Sequence, residues 1–207
     1  WAKGAGIFAG LAILLNEKRP DIKLLVVNSR GNWSEVSRAV AKNYGKRGQD
    51  IFSNVLVSEH APDIKKVYQK SRIIFSSSLW WESGSRVLAE AMINGIPAII
   101  SLSGGNREIV GKAGLFFQLP KKCFEKPYKY LPEEHYYDPI IKQIEQLWDD
   151  GRFYRKYVYH ALKVGLLYRD PSISIERFIR FLSPLLSKRA GDQNFKELLK
   201  QQHKHKL

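Results

Sequence analysis

Two kinds of hydrophobic pattern alternate along the first 119 residues of the chain. Five short, nearly continuous apolar runs predict buried strands, because a strand that is covered on both faces shows no polar alternation. These runs read IKLLVVNS, SNVLVSE, RIIFSS, PAIISLS and GLFFQL. Between them, apolar residues recur three and four positions apart, which predicts helices. A helix between successive strands indicates that the strands are parallel.

The same pattern assigns helices to GIFAGLAILLNEK, which we expect to be amphipathic, and to SEVSRAVAKNYGK, with Ser34 as its N-cap. Shorter helices are expected at APDIKKVYQKS and SRVLAEAMINGI. The fold class is therefore α/β, with a doubly wound, Rossmann-like parallel sheet over residues 1–119, followed by C-terminal helices. Since the first residues already lead into a helix, we expect the first strand of this sheet to lie before Trp1.

The pattern changes after Pro120. Residues 120–137 are rich in proline and charge, which predicts a loop or insertion. Residues 138–187 have helical spacing and predict the closing helices of the same domain. The last of these helices has an apolar face made by Ile175, Phe178, Ile179, Leu182, Leu185 and Leu186. Residues 188–207 predict a basic, frayed tail.

The formal net charge of +14 is unevenly distributed. Residues 1–150 carry 21 basic and 16 acidic side chains, whereas residues 151–207 carry 13 basic and 4 acidic ones. Such an excess favours an anionic partner, and nucleic acid, a phosphorylated substrate and an acidic membrane surface all fit. Nucleic acid is the least favoured of them, because no helix-turn-helix, zinc-finger or RNA-binding signature is present.

The cysteine and histidine content argues against disulfide bonds and metal sites. The single cysteine, Cys123, excludes an internal disulfide and favours a reducing compartment, the cytoplasm. The five histidines show no spacing typical of a metal site. No apolar run reaches the roughly 18 residues that a membrane span requires.

One segment places two carboxylates in a stretch that is otherwise built for burial. In SSLWWESGSRVLAEAMINGIPAIISLSGGNRE, Glu82 precedes a predicted helix and Glu90 lies at the edge of its apolar face, which is made by Val87, Leu88, Ala91 and Met92. Both carboxylates fall near the carboxyl edge of the sheet, where open α/β sheets bind ligands. The pair Gly104–Gly105 would let the backbone approach a ligand and free amides at the next helix start.

This segment resembles the E-x₇-E region of retaining GT-B glycosyltransferases, particularly glycosyltransferase family 4 (group 1). The matching positions are Glu82, Ser83, Glu90, Ala91, Met92, Gly95, Pro97, Gly104, Gly105 and Glu108. Lys3-Gly4 resembles the pair that opens the first helix of the family's C-terminal domain. The resemblance covers most of residues 3–185 and implies the donor-binding, C-terminal half of a GT-B sugar transferase.

The resemblance also implies roles for the site residues. Lys3 is the phosphate-binding lysine, Glu82 contacts the transferred sugar, and Glu90 accepts hydrogen bonds from the ribose hydroxyls. The other donor-binding residues are the loop and helix start Ser83, Gly84, Ser85, Arg86 and Val87, the sugar-pocket residues Gly105 and Asn106, and Ser58 and Glu59 near the base. The chain departs from the family at Gly84-Ser85, where Phe-Gly is usual, and at Arg86, which replaces an apolar residue.

By the same resemblance the enzyme is metal-independent, requires no cofactor, and retains the anomeric configuration. Its co-substrate is a nucleotide-diphosphate sugar, and its acceptor is a saccharide or a lipid-linked sugar of polysaccharide biosynthesis. The basic surface with interspersed aromatic residues suits a peripheral position at the inner face of a membrane. Without the N-terminal acceptor domain we expect little or no transfer.

A non-catalytic nucleotide-sugar-binding module remains the alternative function, and a basic nucleic-acid-binding module is less favoured.

Trp80 and Trp81, directly before Glu82, leave two interpretations open. Aromatic residues at the end of a strand either pack in the core or rim of the domain, or stack on a base or sugar.

Overall fold

The computed structural model describes residues 1–28, 31–48, 50–58 and 62–189. Its strands are β1 (Leu24–Val27), β2 (Val55–Ser58), β3 (Ile74–Ser76), β4 (Ala98–Ser101) and β5 (Gly114–Phe117). Its helices are α1 (Ala5–Lys18), α2 (Trp33–Asn43), α3 (Ile64–Lys70), α4 (Arg86–Ile93), α5 (Asn106–Val110), α6 (Asp138–Asp149), α7 (Gly151–Arg169) and α8 (Pro171–Arg189). The predicted alternation of strand and helix is confirmed.

All the paired strands are parallel, and they form two sheets. β1 pairs with β2, while β4 lies between β3 and β5. The inner edges of β1 and β3 both line one cavity of about 440 Å³, to which Leu24 and Val27 contribute from one side and Ile74 and Phe75 from the other. The α/β fold class is confirmed, and the two half-sheets are separated where β1 and β3 would meet.

Helix α1 is buried on more than one face, so the prediction of an amphipathic helix was wrong. Ile7, Leu11 and Leu15 lie in the main core, which also contains Ile99, Phe117 and much of α6. On another face of α1, Ala9 and Ile13 pack in a second cluster with residues of α2. A helix packed between two layers has no long polar face, and its polar residues are confined to the last turn.

Two other local predictions are corrected by the structure. Helix α2 begins two residues earlier than predicted, at Trp33, so Asn32 rather than Ser34 is the N-cap. On α4, Leu88, Ala91 and Met92 are buried as predicted, but Val87 is half exposed. Val87 is in the first turn of α4, and its side chain lines the cavity between β1 and β3 instead of the core.

The region after β5 is ordered by short turns and by one buried tyrosine. Two 3₁₀ segments, Lys121–Phe124 and Glu134–Tyr137, interrupt the predicted loop. Tyr137 is fully buried, and its hydroxyl lies 3.1 Å from that of Tyr44. This contact holds residues 120–137 against the first half of the domain.

Two compact units make up the chain, Trp1–Leu166 and Leu167–Leu207. The first contains both sheets and helices α1 to α6, and the second contains α8, on which Ile175, Phe178 and Ile179 are exposed. The predicted tail lies mostly outside the described residues, which end at residue 189. Within the described part of the chain, we find no helix with the length and apolarity needed to cross a bilayer.

Candidate functional site

Several of the predicted site residues lie in, or directly after, loops at the carboxyl ends of the strands. Because β3 and β4 are parallel neighbours, the β3–α4 loop and the β4–α5 loop leave the same edge of the sheet. The first of these loops carries Glu82 and its neighbours, and the second carries the glycine pair. A third segment, at the start of the chain, joins them because the carbonyl of Ala2 accepts hydrogen bonds from the amides of Leu79 and Trp80 at 2.9 and 3.1 Å.

The glycine pair brings two loops of the chain together. The amide of Gly105 donates to the carbonyl of Glu82 at 2.7 Å. Gly104 has a φ of +60°, and a Cβ there would collide with the Glu82 carbonyl, while one at Gly105 would collide with that of Ser83. We expected the glycine pair to let the backbone approach a ligand. In the structure it lets the backbone approach the loop that carries Glu82, and the amide of Gly105 is hydrogen-bonded within the protein.

Buried serines fix the shape of the β3–α4 loop. Ser101 donates to the carbonyl of Ser78 at 2.8 Å, and Ser103 donates to that of Trp80 at 2.6 Å. Ser77 donates to the carbonyl of Gly4 at 2.9 Å, which ties the start of α1 to the same loop. Sequence reasoning missed these residues, although the clustering of serine in SSS and SLS directly after two buried strands is a usable signal.

Lys3 and Glu82, which are 79 positions apart, form an ion pair at this edge. The Lys3 side chain is 73% exposed and that of Glu82 only 14%. The hydroxyl of Ser78 donates to the same carboxylate oxygen, Oε1, at 3.0 Å. Glu82 is therefore held from the protein side, while the ammonium group of Lys3 faces solvent beside it.

The start of α4 lies next to this pair. The amide of Ser85 donates to Oδ1 of Asn106 at 3.2 Å, so it is not open to a ligand as the sequence suggested. Asn106 is itself buried and positions the helix start. Within the described residues the amides of Arg86 and Val87 donate to no acceptor, as is usual in a first helical turn. The helix start thus presents two amides and one exposed guanidinium group.

Glu90 lies one turn further along α4, half-buried at the helix edge as predicted. Its Oε2 accepts a hydrogen bond of 2.7 Å from the hydroxyl of Tyr68 on α3. Both side chains line the cavity that reaches the inner edges of β1 and β3. Sequence reasoning did not find Tyr68, because a lone tyrosine in a short helix carries no signal of its partner.

The remaining predicted residues are Ser58, Glu59, Ser83, Gly84 and the tryptophan pair. Ser58 ends β2, where its carbonyl accepts from the amide of Asn28 at 2.7 Å. Glu59 and the neighbouring His60 lie outside the described residues. Ser83 and Gly84 are exposed in the loop before α4. Trp80 and Trp81 are 47% and 79% exposed, so they do not lie in the core, whereas a position at the rim and stacking on a ligand both stay open.

A family model matches most of this architecture. The description "Glycosyl transferases group 1" fits residues 3–163, which include both half-sheets, Lys3 and the two glutamates. The chain belongs to the glycosyl transferases group 1 family. The resemblance drawn from Glu82, Glu90 and Lys3-Gly4 is thereby confirmed at the level of this family.

Similar proteins agree on the fold. Spore coat protein SA of Bacillus subtilis is 30% identical over 117 residues, which cover 53% of this chain and 31% of that protein. The crystal structure of the GtfA/B complex superposes with a TM-score of 0.65 at 16% identity, over 88% of this chain and 33% of that one. For Anabaena Alr3699/HepE, solved with UDP and glucose, the TM-score is 0.61 at 16% identity, over 86% of this chain and 44% of that one. The chain therefore spans about a third to less than half of these proteins.

Proposed function

We propose that this chain is the donor-binding part of a retaining glycosyltransferase that takes a hexose from a nucleotide-diphosphate sugar. The observation that carries the proposal is the Lys3–Glu82 pair at the carboxyl edge of the sheet, beside the start of α4. Family membership supports sugar transfer. The HepE structure was solved with UDP and glucose, which supports a nucleotide-sugar donor for a protein of this fold.

The charges at the edge suit a diphosphate. The ammonium group of Lys3, the guanidinium group of Arg86 and the amides of Arg86 and Val87 offer positive charge and oriented donors. The transferred sugar then lies against Glu82, whose carboxylate is held by Ser78 and can accept hydrogen bonds from sugar hydroxyls. Glu90 accepts from the ribose hydroxyls. In this proposal the chain's own cations and amides neutralise the diphosphate, and no metal ion is required.

Transfer breaks the bond between the anomeric carbon and the diphosphate oxygen. The acceptor hydroxyl oxygen bonds to the anomeric carbon on the face that the diphosphate leaves, and its proton passes to an oxygen of the departing diphosphate. The main protein contribution is electrostatic stabilisation of the charge that develops on that diphosphate. Glu82 and Glu90 hold hydroxyls, and neither is required to act as a general acid.

We further propose that a parallel strand completes the sheet between β1 and β3, and the resemblance assigns that strand to residues before Trp1. Both facing edges line the same apolar cavity. An unpaired edge inside a domain leaves backbone N–H and C=O groups without partners, and a strand inserted there would satisfy both edges. The acceptor, a saccharide or lipid-linked sugar, belongs in this proposal to a further, N-terminal domain, and the basic charge suits an anionic membrane surface.

The first test is a calorimetric titration of the natural full-length protein with UDP, GDP and ADP. We expect one diphosphate to bind, and Glu90→Ala to weaken it by about 1–3 kcal/mol, the cost of losing charged hydrogen bonds. Lys3→Ala should weaken it comparably while changing the unfolding temperature little, because exposed ion pairs add little stability.

Two exposed residues offer matched controls. Lys112 precedes β5, at the amino edge of the sheet, and Glu125 lies in the segment after it. Lys112→Ala and Glu125→Ala should bind the diphosphate like the parent protein. Unchanged affinity in Glu90→Ala and Lys3→Ala would contradict the proposed site, whereas binding without turnover of the sugar conjugate would indicate a non-catalytic nucleotide-sugar module.

A further inference from the structure

Tyr68 is a buried tyrosine whose hydroxyl has a specific partner in the candidate site. It lies on α3, is 6% exposed, and donates to Oε2 of Glu90 at 2.7 Å. The two residues are 22 positions apart and sit on different helices. This contact therefore depends on how α3 packs beside α4, and it links the conformation of Glu90 to the body of the domain.

The contact uses only part of the hydrogen-bonding capacity of Glu90. An ionised carboxylate has about four lone-pair positions on its two oxygens, and Tyr68 occupies one of them on Oε2. Among the residues that the structure describes, only Tyr68 donates to this carboxylate, and Glu90 is half-buried. A glutamate has three rotatable side-chain bonds, so a fixed donor on one oxygen restricts where the other oxygen points.

The hydroxyl of Tyr68 keeps its proton, and so remains a hydrogen-bond donor, at neutral pH. Burial, together with the hydrogen bond to the Glu90 carboxylate, raises the pKa of Tyr68 above its ordinary value. The phenol is therefore protonated at neutral pH, and the hydrogen bond to the carboxylate is charge-assisted.

We propose that Tyr68 is a positioning residue that orients the Glu90 carboxylate toward the ribose hydroxyls of the donor nucleotide. This inference rests on the proposed function, because it takes Glu90 as the ribose ligand. Tyr68 does not touch the nucleotide. It acts through Glu90, and its removal affects only the part of the affinity that depends on the ribose hydroxyls.

The test measures how well the natural full-length protein distinguishes a ribose from a sugar without its hydroxyls. The parent protein, Tyr68→Phe, Glu90→Ala and the double variant are titrated with the diphosphate that binds and with its 2′,3′-dideoxy form. We expect the parent to prefer the ribose form by about tenfold or more, and Tyr68→Phe to reduce that preference to about threefold. Adding Tyr68→Phe to Glu90→Ala should change nothing further, since both act through one carboxylate.

A half-buried tyrosine elsewhere in the domain, Tyr44, offers the matched control. The hydroxyl of Tyr44 donates to the carbonyl of Pro132 and lies beside that of Tyr137, so Tyr44→Phe also removes a hydroxyl with partners in the protein. It should lower the unfolding temperature and leave the ribose preference unchanged. Tyr68→Phe keeps the buried ring, so its fold can be checked by the same melting curve.

The outcomes separate this inference from the proposed function. If the ribose preference is lost in Glu90→Ala but kept at the parent value in Tyr68→Phe, the positioning role is overturned and the site stands. If the double variant loses more than Glu90→Ala alone, Tyr68 acts independently of Glu90 and the proposal is wrong. If the parent protein binds no nucleoside diphosphate, or Glu90→Ala binds both forms like the parent, the proposed function fails, and the role of Tyr68 fails with it.

Discussion

At the scale of single residues, the site combines a protected carboxylate with an exposed cation. Glu82 is largely covered and is held by Ser78, while Lys3 reaches it from solvent. An ion pair with one exposed partner contributes little to folding, because water and salt screen it. In the proposed function, the Lys3 ammonium group turns toward the diphosphate while Glu82, held by Ser78, stays in place.

The single cysteine gives a second prediction at this scale. Cys123 is fully buried, and burial raises the pKa of its thiol to about 11. Since the thiolate is the nucleophile, we expect the folded protein to react with iodoacetamide at pH 8 far more slowly than the protein in denaturant. Stability should also fall as the pH rises from about 8.5, where the unfolded thiol loses its proton, toward 11. Fast alkylation of the native protein, followed by mass spectrometry, would contradict the first expectation. A free energy of unfolding that does not fall between pH 8.5 and 11 would contradict the second.

At the scale of secondary-structure elements, close packing of helices is decided by single glycines. Helix α7 meets the end of α4 at Gly165, where a Cβ would collide with the carbonyl of Met92 and lie 2.8 Å from Cα of Ile93. Both neighbours are backbone atoms, so neither can rotate away. The helix carrying Glu90 is thereby positioned by α7 on one side and by Tyr68 of α3 on the other.

Two glycines of α7 make a matched pair of substitutions. Gly165→Ala should lower the free energy of unfolding by about 1–3 kcal/mol, because overpacking outweighs the gain in helix propensity. Gly151→Ala, at the first position of the same helix, meets only a guanidinium nitrogen of Arg155 at 3.4 Å and should be nearly neutral. Urea denaturation of both variants measures the difference, and equal stabilities would show that α7 moves aside at no cost.

At the scale of the whole molecule, the parallel strands form two half-sheets whose inner edges face one cavity. Parallel sheets normally occur with both faces covered and their strands continuous. A strand that enters between β1 and β3 would join the half-sheets and place its carboxyl end at the edge where Lys3 and Glu82 meet. The same insertion would therefore complete the core and, in the proposed function, the side of the site that binds the diphosphate.

Hydrogen exchange tests that strand. If the proposed strand precedes Trp1, we expect amides of β1 and β3 to exchange at least about tenfold more slowly in a chain that carries it than in residues 1–207 alone. The amides of β4, which is paired on both sides in either case, are the internal control. Equal exchange of β1 in the two chains would show that nothing pairs with its inner edge.

The sequence by itself determined the order and type of the elements, because apolar spacing follows the period of a helix or the continuous burial of a strand. It also singled out Glu82, Glu90 and Lys3, because their motifs resemble those of the family, and their roles in binding stay a prediction. It did not predict that α1 is buried on several faces, because a helix between two layers and a helix on a surface share much of their composition.

Only the tertiary structure decided which groups meet. The Lys3–Glu82 pair, the Tyr68–Glu90 hydrogen bond and the Asn106–Ser85 contact join residues 79, 22 and 21 positions apart. The sequence predicted that the glycine pair approaches a ligand, whereas in the structure the amide of Gly105 donates to the carbonyl of Glu82. The hydrophobic pattern of a segment indicates only which of its faces is buried. Contacts between residues far apart in the chain depend on how the packed elements bring distant loops to one edge of the sheet.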